Sequence, residues 1–394
     1  MADRRRPSPG STAPCGDRRA DRRRTVSADR DAERRHDRKE DHVRLATMQW
    51  EPAQGDGPAA RGNEFDDLDF VHHAMDAVAL EPVDPATRMF NRDAAWPFYI
   101  NGMTGGTAHT GRINQQLAIA ARETGLAMGC GSVSIALDDP DAAPGFRIIR
   151  RENPDGLVMA NIGVGRSADD ARRAVDLLGA DALQVHINAV QETVMPEGSP
   201  RFGDWLSGIE AIVAASPVPV LVKEVGFGLS PRTLHRLADV GVRFADVSGR
   251  GGTDFLRIEN DRRPGGDYGY LTGFGQSAPA CLLDAASLDA DSRPTLFASG
   301  GVRNPLDVLK ALALGAEAVG VAGAFLSTVV EVGAEGLIEL IGSWQRHTRE
   351  LMALLGAPDL EGLRGTDLLI RGRLGEYARL RGIDAGAYAR RRES

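Results

Sequence analysis

At 394 residues the chain is long enough for one large barrel domain or two ordinary ones, and an apolar fraction of 42% supports a sizeable core. A net charge of −8 excludes a wholesale nucleic-acid binder, and no apolar run reaches the roughly 18 residues of a membrane span. Cys15, Cys130 and Cys281 are far apart and odd in number; they offer neither a disulfide framework nor metal spacing, which fits a cytoplasmic protein.

Residues 1–36 are dense in Arg and Asp and nearly lack large apolar side chains, so the sequence predicts a disordered tail. Residues 1–42 hold 13 cationic and 9 acidic side chains, about +4, leaving the remainder near −12. No apolar stretch follows the basic start, so the tail is no secretory signal; it reads as an inert extension. A single domain is expected over residues 37–394, with its core over about 96–330.

From Trp96 onward, short apolar runs end in glycine or small polar residues and are followed by helix-like segments. The runs are Pro97–Met103, Leu126–Cys130, Leu157–Ile162, Ala182–Asn188, Val218–Val225, Phe244–Val247, Thr295–Ala298 and Ala318–Ala322. Helical spacing follows over Arg112–Thr124, Ala168–Leu178, Pro231–Val240 and Pro305–Leu314. Eight βα units spaced by about 30 residues predict a (β/α)8 TIM barrel. A doubly wound sheet is the rival, but it concentrates its chemistry at one switch point, whereas here all eight runs end in polar or glycine-rich residues. Residues 46–95 would form an N-terminal cap or bottom plug. Residues 331–392 end in helices suited to closing the barrel, and the apolar spacing of 334–355 suits subunit packing.

The fourth run carries the densest chemistry. Gln184, His186 and Asn188 alternate with Val185 and Ile187, so the polar set shares one face. Gln191 and Glu192 follow where the strand should end. A carboxylate suits Mg²⁺, while amides and imidazole suit phosphate oxygens. A hydrogen-bonded polar cluster without ligand is the plainer alternative. Two later runs, Ala298-Ser299-Gly300-Gly301-Val302-Arg303 and Gly320-Val321-Ala322-Gly323-Ala324, sit where barrel folds often hold a phosphate on backbone N–H groups. Lys223 closes the fifth run, where a lysine can face a flavin's N1–C2=O edge. With Asn161 and Ser132 as further polar contacts, and with no GxGxxG after a strand, these residues point to FMN and not to a dinucleotide.

Seven stretches in this order resemble type 2 isopentenyl-diphosphate delta-isomerase, the flavin-dependent form, over about residues 38–355. They are Arg38-Lys39-Glu40-Asp41-His42, Ile100-Asn101-Gly102-Met103-Thr104-Gly105-Gly106, Val185-His186-Ile187-Asn188-Ala189-Val190-Gln191-Glu192, Met195-Pro196-Glu197-Gly198, Val222-Lys223-Glu224-Val225-Gly226-Phe227-Gly228, Ser248-Gly249-Arg250-Gly251-Gly252-Thr253 and Ala298 to Arg303. The resemblance implies a TIM barrel that interconverts isopentenyl and dimethylallyl diphosphate, using reduced FMN, NADPH as reductant and Mg²⁺, in a homo-oligomer of four or more subunits. It would place Met103, Thr104, Gly105, Ser132, Asn161, Lys223, Ser248, Thr253, Gly300, Gly301, Ala322 and Gly323 on FMN. Arg38, Lys39, His42, His186, Asn188 and Gln191 would contact the diphosphate substrate, Phe255 its isoprenyl chain, and Glu192 the Mg²⁺. Gln191 and Glu192 are the residues expected to serve the chemistry. Two stretches depart from the family: Phe274-Gly275-Gln276-Ser277-Ala278 replaces Trp-Gly-Ile-Pro-Thr, and Ser199-Pro200 replaces Asp-Arg.

Moving a double bond requires a proton added at a terminal carbon and another removed from C2, through a cation-like transition state. Arg38 and Lys39 would clamp the diphosphate from an arm that closes over the site and excludes water. The competing readings are another FMN-dependent barrel oxidoreductase and a flavin-binding sensor without catalysis. A 2-hydroxy-acid oxidase would need a His after the sixth run, where this chain has Ser248-Gly249-Arg250. An inosine-monophosphate dehydrogenase would need a cysteine there, and the nearest is Cys281.

Overall fold

The computed structural model describes residues 38–50, 63–199, 201–289 and 292–393; the expected disordered tail lies outside them. Packing divides the chain into Met1–Arg38 and Lys39–Ser394. Of the first unit only Arg38 is described, in helical conformation. The second unit carries everything below.

Twelve strands occur among the described residues, β1 Leu68–Phe70, β2 Thr87–Met89, β3 Arg92–Ala94, β4 Phe98–Ile100, β5 Met128–Gly129, β6 Val158–Gly163, β7 Ala182–His186, β8 Val220–Lys223, β9 Phe244–Asp246, β10 Thr295–Ser299, β11 Ala318–Val321 and β12 Leu368–Ile370. β4 to β11 form a closed barrel in which every neighbouring pair is parallel, and β11 returns to β4. Each of the eight expected runs supplies one barrel strand. They are legible because a parallel strand between the barrel interior and the helices is buried on both faces and so reads as an unbroken apolar run.

The helices between them start and stop where their chemistry dictates. Ser167 and Asp170 make a reciprocal cap at the start of the helix Ala168–Leu178, and Gly179 ends it in the left-handed conformation. Ala171, Ala174, Val175 and Leu178 give that helix its buried stripe.

The cap expected over residues 46–95 does two jobs. Its β2–β3 hairpin turns through Phe90 and Asn91, both at positive φ, and inserts Met89 and Phe90 into the bottom of the barrel. There Phe90 packs against Phe244 and Phe297 with ring centroids 5.0 and 5.3 Å away. Residues 63–70 instead start beside Gly301 and Arg303, after β10, and continue into β1, which pairs antiparallel with β12.

The apolar stripe expected to serve subunit packing is used internally. Helix Gly323–Leu354 breaks at Gly333, and beyond the break Leu337, Ile341, Trp344, Thr348 and Met352 are buried in the chain's own core. Trp344 lies against Phe98 and Phe325. None of the described helices is long and apolar enough to cross a membrane.

Candidate active site

The C-terminal ends of the barrel strands converge on one mouth, and the helix over residues 39–50 lies across it. Lys39 and His42 are buried on that helix. Glu40 Oε1 accepts from Thr107 Oγ1 at 2.5 Å, while the Gln49 amide pairs with both the N–H and the C=O of Asp254 at 2.8 and 3.2 Å. His42 stands edge-on to Phe255, 5.7 Å between ring centres, and its Nε2 is 3.0 Å from Glu259 Oε1.

Glu259 organises this side of the mouth although nothing in the local sequence singles it out. It is fully buried and receives Gln191 Nε2 at 2.8 Å and Arg262 Nη1 at 2.5 Å in addition to His42. Burial alone would raise its pKa. The hydrogen bond and charge of His42, the Gln191 amide and the Arg262 guanidinium outweigh burial and hold the carboxyl at about 2.

Gln191 is therefore oriented. Its N–H side faces Glu259, and its Oε1 accepts from Asn188 Nδ2 at 3.2 Å. The same Asn188 amide reaches Glu192 Oε1 at 3.2 Å. Glu192 Oε2 accepts the Ser199 N–H at 3.0 Å, so a main-chain donor at one of the departures from the family pattern supports this carboxylate. Gln191 and Glu192 lie on one short helix, Ala189–Val194, begun by Asn188.

His186 is set by a chain of amides. Gln184 donates to Met159 Sδ and accepts from Asn161 Nδ2 at 3.0 Å; Asn161 Oδ1 then lies 2.9 Å from His186 Nδ1. An amide oxygen only accepts, so Nδ1 carries the hydrogen and Nε2 is directed elsewhere.

Several of the expected flavin residues stand at the ends of the barrel strands. Lys223 Nζ donates to the Glu224 carbonyl at 2.7 Å and to Ser248 Oγ at 3.3 Å. Burial pulls its pKa down, against Asp246 and Glu224. Ser248 adopts φ 37°, a strained backbone that turns its hydroxyl toward Ser299 Oγ at 3.1 Å. Asp246, missed from the sequence, is fully buried beneath them and accepts from Ser299 Oγ, Tyr99 Oη and the Ser248 N–H at 2.7, 3.3 and 2.9 Å. An acid inside the apolar run Phe244-Ala245-Asp246-Val247 was the signal available. Glu224 accepts three successive backbone N–H groups from Val225, Gly226 and Phe227; burial still raises its pKa to about 7.

Gly300 and Gly301 adopt φ 96° and 84°, and a Cβ on Gly300 would overlap the Gly249 carbonyl. Their strand β10 pairs with β11 through Ser299 and Gly320, which sets Gly300 and Gly301 beside Ala322 and Gly323. The helix beginning at Gly323 has no side-chain cap. Thr104 Oγ1 and Thr253 Oγ1 are buried without a hydrogen-bond partner. These features fit a phosphate-bearing flavin: unused donors, an uncapped helix start and a glycine cup. Gly105, by contrast, makes room for the Phe146 ring. Ser132 Oγ bonds Ser134 Oγ at 3.0 Å, and Met103 is packed against the main core. A cavity of about 290 Å³ adjoins Gly252 and Thr253, walled by Phe227, Leu256, Leu271 and Phe274.

The other departure from the family pattern keeps its loop ordered by a different device. Ser277 caps the helix Ala278–Ala285 and donates to Glu64, while Gln276 bonds the Phe227 carbonyl and the Arg250 N–H. Among the described residues no three His, Cys, Asp or Glu side chains converge as a ready metal cage. Glu192 offers a carboxylate beside Asn188 and Gln191 that is not tied up in the His42–Glu259–Arg262 cluster. That suits Mg²⁺, which takes one or two carboxylates and completes its shell with substrate phosphates and water.

Comparison with known proteins accords with this geometry. Residues 159–370 match the family model of FMN-dependent dehydrogenases. An isopentenyl-diphosphate delta-isomerase of Kitasatospora griseola is 53% identical over 357 residues, 91% of this chain and 95% of that protein. The enzyme of the same name from Staphylococcus epidermidis (strain ATCC 35984) is 44% identical over 89% of this chain and 97% of its own. The chain belongs to the type 2 isopentenyl-diphosphate delta-isomerases. It is an isomerase built on the frame of the FMN-dependent dehydrogenases. Among solved structures, a mandelate oxidase aligns with TM-score 0.59 and 21% identity over 80% of this chain and 90% of its own. A flavocytochrome b2 aligns equally well, covering 76% of this chain and 75% of its own. These two likenesses bear on the barrel fold alone.

Proposed function

We propose that this isomerase interconverts isopentenyl and dimethylallyl diphosphate with reduced FMN and Mg²⁺ bound, the flavin being reduced by NADPH. The observation that carries the reading is the chain of contacts His42–Glu259–Gln191–Asn188–Glu192. It sets two neutral carboxamides between the buried Glu259 carboxylate and the Glu192 carboxylate at one strand mouth.

Met103, Thr104, Ser132, Asn161, Lys223, Ser248 and Thr253 would hold the flavin ring and ribityl chain, with Gly300, Gly301, Ala322 and Gly323 on its phosphate. Bound reduced FMN supplies an electron-rich ring with an exchangeable proton. Lys223 favours negative charge on that ring. Glu192 would hold Mg²⁺, whose charge neutralises the diphosphate. Arg38, Lys39, His42, His186 and Asn188 bind the same group, and His186 has its ring orientation set by Asn161. Phe255 offers an apolar face to the isoprenyl chain. Gln191 cannot turn without losing Glu259, so it orients substrate instead of carrying protons. The helix 39–50 closes the mouth and keeps water from a carbocation-like centre.

The deciding experiment is an anaerobic assay of purified protein with isopentenyl diphosphate, FMN, NADPH and Mg²⁺, measuring dimethylallyl diphosphate. Product that requires both reduced flavin and metal supports the proposal. Flavin-loaded protein that forms no product rejects it.

A further inference from the structure

The last described residue of the helix over 39–50 is Trp50, and its indole lies against Gly323. A Cβ built on Gly323 would overlap the ring, with Nε1 the nearest atom. That nitrogen is buried and has no hydrogen-bond partner. An indole N–H is a donor only, and a buried donor without an acceptor is disfavoured. The surroundings contain further unused donors, because Gly323 starts a helix without a side-chain cap and the first N–H groups of a helix have no acceptor within it. Gly300 and Gly301 follow Ser299, which pairs with Gly320 on the neighbouring strand. Indole and helix start both offer donors that suit an anionic oxygen.

We propose that Trp50 donates its indole N–H to the phosphate of the bound flavin, so that this phosphate anchors the Trp50 turn of the helix that carries Lys39 and His42. The inference rests on FMN occupying the Gly300–Gly323 cup. It gives the phosphate a second task besides holding the flavin. The other fixed points of the helix are Glu40 on Thr107, His42 on Glu259 and Gln49 on Asp254; the last two partners follow strand β9, whereas Trp50 reaches Gly323 after β11. A flavin without its phosphate would leave that end of the helix held by Gln49 alone, and diphosphate binding would weaken with it.

The test uses the full chain freed of flavin and titrated with FMN and with riboflavin, for wild type, Trp50→Phe and Trp50→His. Trp50→Phe is expected to weaken FMN binding by about tenfold to a hundredfold, the scale of one hydrogen bond to a charged group, and to leave riboflavin binding unchanged. Trp50→His, which keeps an N–H, recovers part of the loss. Hydrogen exchange over residues 39–50 is expected to slow when FMN, but not riboflavin, binds the wild type. Equal losses for both flavins would show that the indole acts by packing alone and overturn the proposal. Unchanged FMN affinity in Trp50→Phe overturns it too, and tighter affinity would mean that the indole blocks the cup. Wild type that binds neither flavin would reject the flavin reading itself, an outcome distinct from these.

Discussion

Gln191 Nε2 donates to Glu259 Oε1 at 2.8 Å, joining residues 68 positions apart in the sequence. Glu259 thereby decides which end of the Gln191 amide faces the substrate side. Glu259→Gln is expected to lower kcat by about a hundredfold, the scale of losing one well-placed polar group, with a smaller change in KM. It also leaves Arg262 short of one partner, and the loss of stability is expected to approach ~3 kcal/mol. The pH dependence has a definite sign. The folded carboxyl is held at about 2 against an ordinary 4.5, so its contribution is complete above about pH 4.5 and disappears as pH falls toward 2. Urea melts of wild type and variant between pH 2.5 and 6 should converge at the acid end.

Glu192 has its two oxygens positioned by Asn188 and the Ser199 N–H, and Glu192→Gln keeps the shape while removing the charge. Activity is expected to fall by at least about a hundredfold, and the Mg²⁺ concentration for half-maximal rate to rise. Bound FMN, measured by its absorbance, should be unaffected. A variant with normal Mg²⁺ dependence would remove Glu192 from the metal site.

Glu224 gives a stability effect of the opposite sign. Burial raises its carboxyl to about 7 from 4.5, so the folded protein keeps a proton that the unfolded chain releases. The stabilising difference is full below pH 4.5 and is lost as pH rises through 7, by ~3 kcal/mol at an order-of-magnitude level. Glu224→Gln does not titrate. The melting temperature of the variant is therefore expected to gain on wild type between pH 5 and 8.

Gly300→Ala would force a side chain into the left-handed region and onto the Gly249 carbonyl. A loss of ~1–3 kcal/mol is expected from backbone strain alone, together with weaker FMN binding because the loop must shift. Thermal melts with and without FMN would separate the two effects: the stabilisation conferred by FMN should shrink in the variant.

The barrel was legible because each strand announces itself as an apolar run followed by small or polar residues, and because helices such as Ala168–Leu178 carry their own start and stop signals. His186, Asn188, Gln191 and Glu192 were legible because four polar groups at one strand end are more than a fold requires. Glu259 was not. In Phe255-Leu256-Arg257-Ile258-Glu259 it reads as the solvated side of an amphipathic helix, and its partners arrive from residues 42 and 191. Asp246 was overlooked for a related reason: Ser299 and Tyr99, which satisfy it, belong to other strands of the barrel. The stripe Leu337–Met352 was read as an outward face because periodicity shows that a face is apolar without showing what covers it. Trp50 gave no sign, since an aromatic at the end of a charged helix has no fixed partner until the chain folds.

The antiparallel pairing of β1 with β12 ties residues 68–70 to residues 368–370. Just upstream, Asn63 Nδ2 donates to the Gly301 carbonyl at 2.5 Å, and Arg303 grips Asp66. The distal stretch of the polypeptide thus serves as a clasp for the proximal one, and the clasp steadies the glycine cup. Proteolytic trimming within residues 368–393 would consequently register first as a slackened hold on the flavin, well before the barrel itself opened.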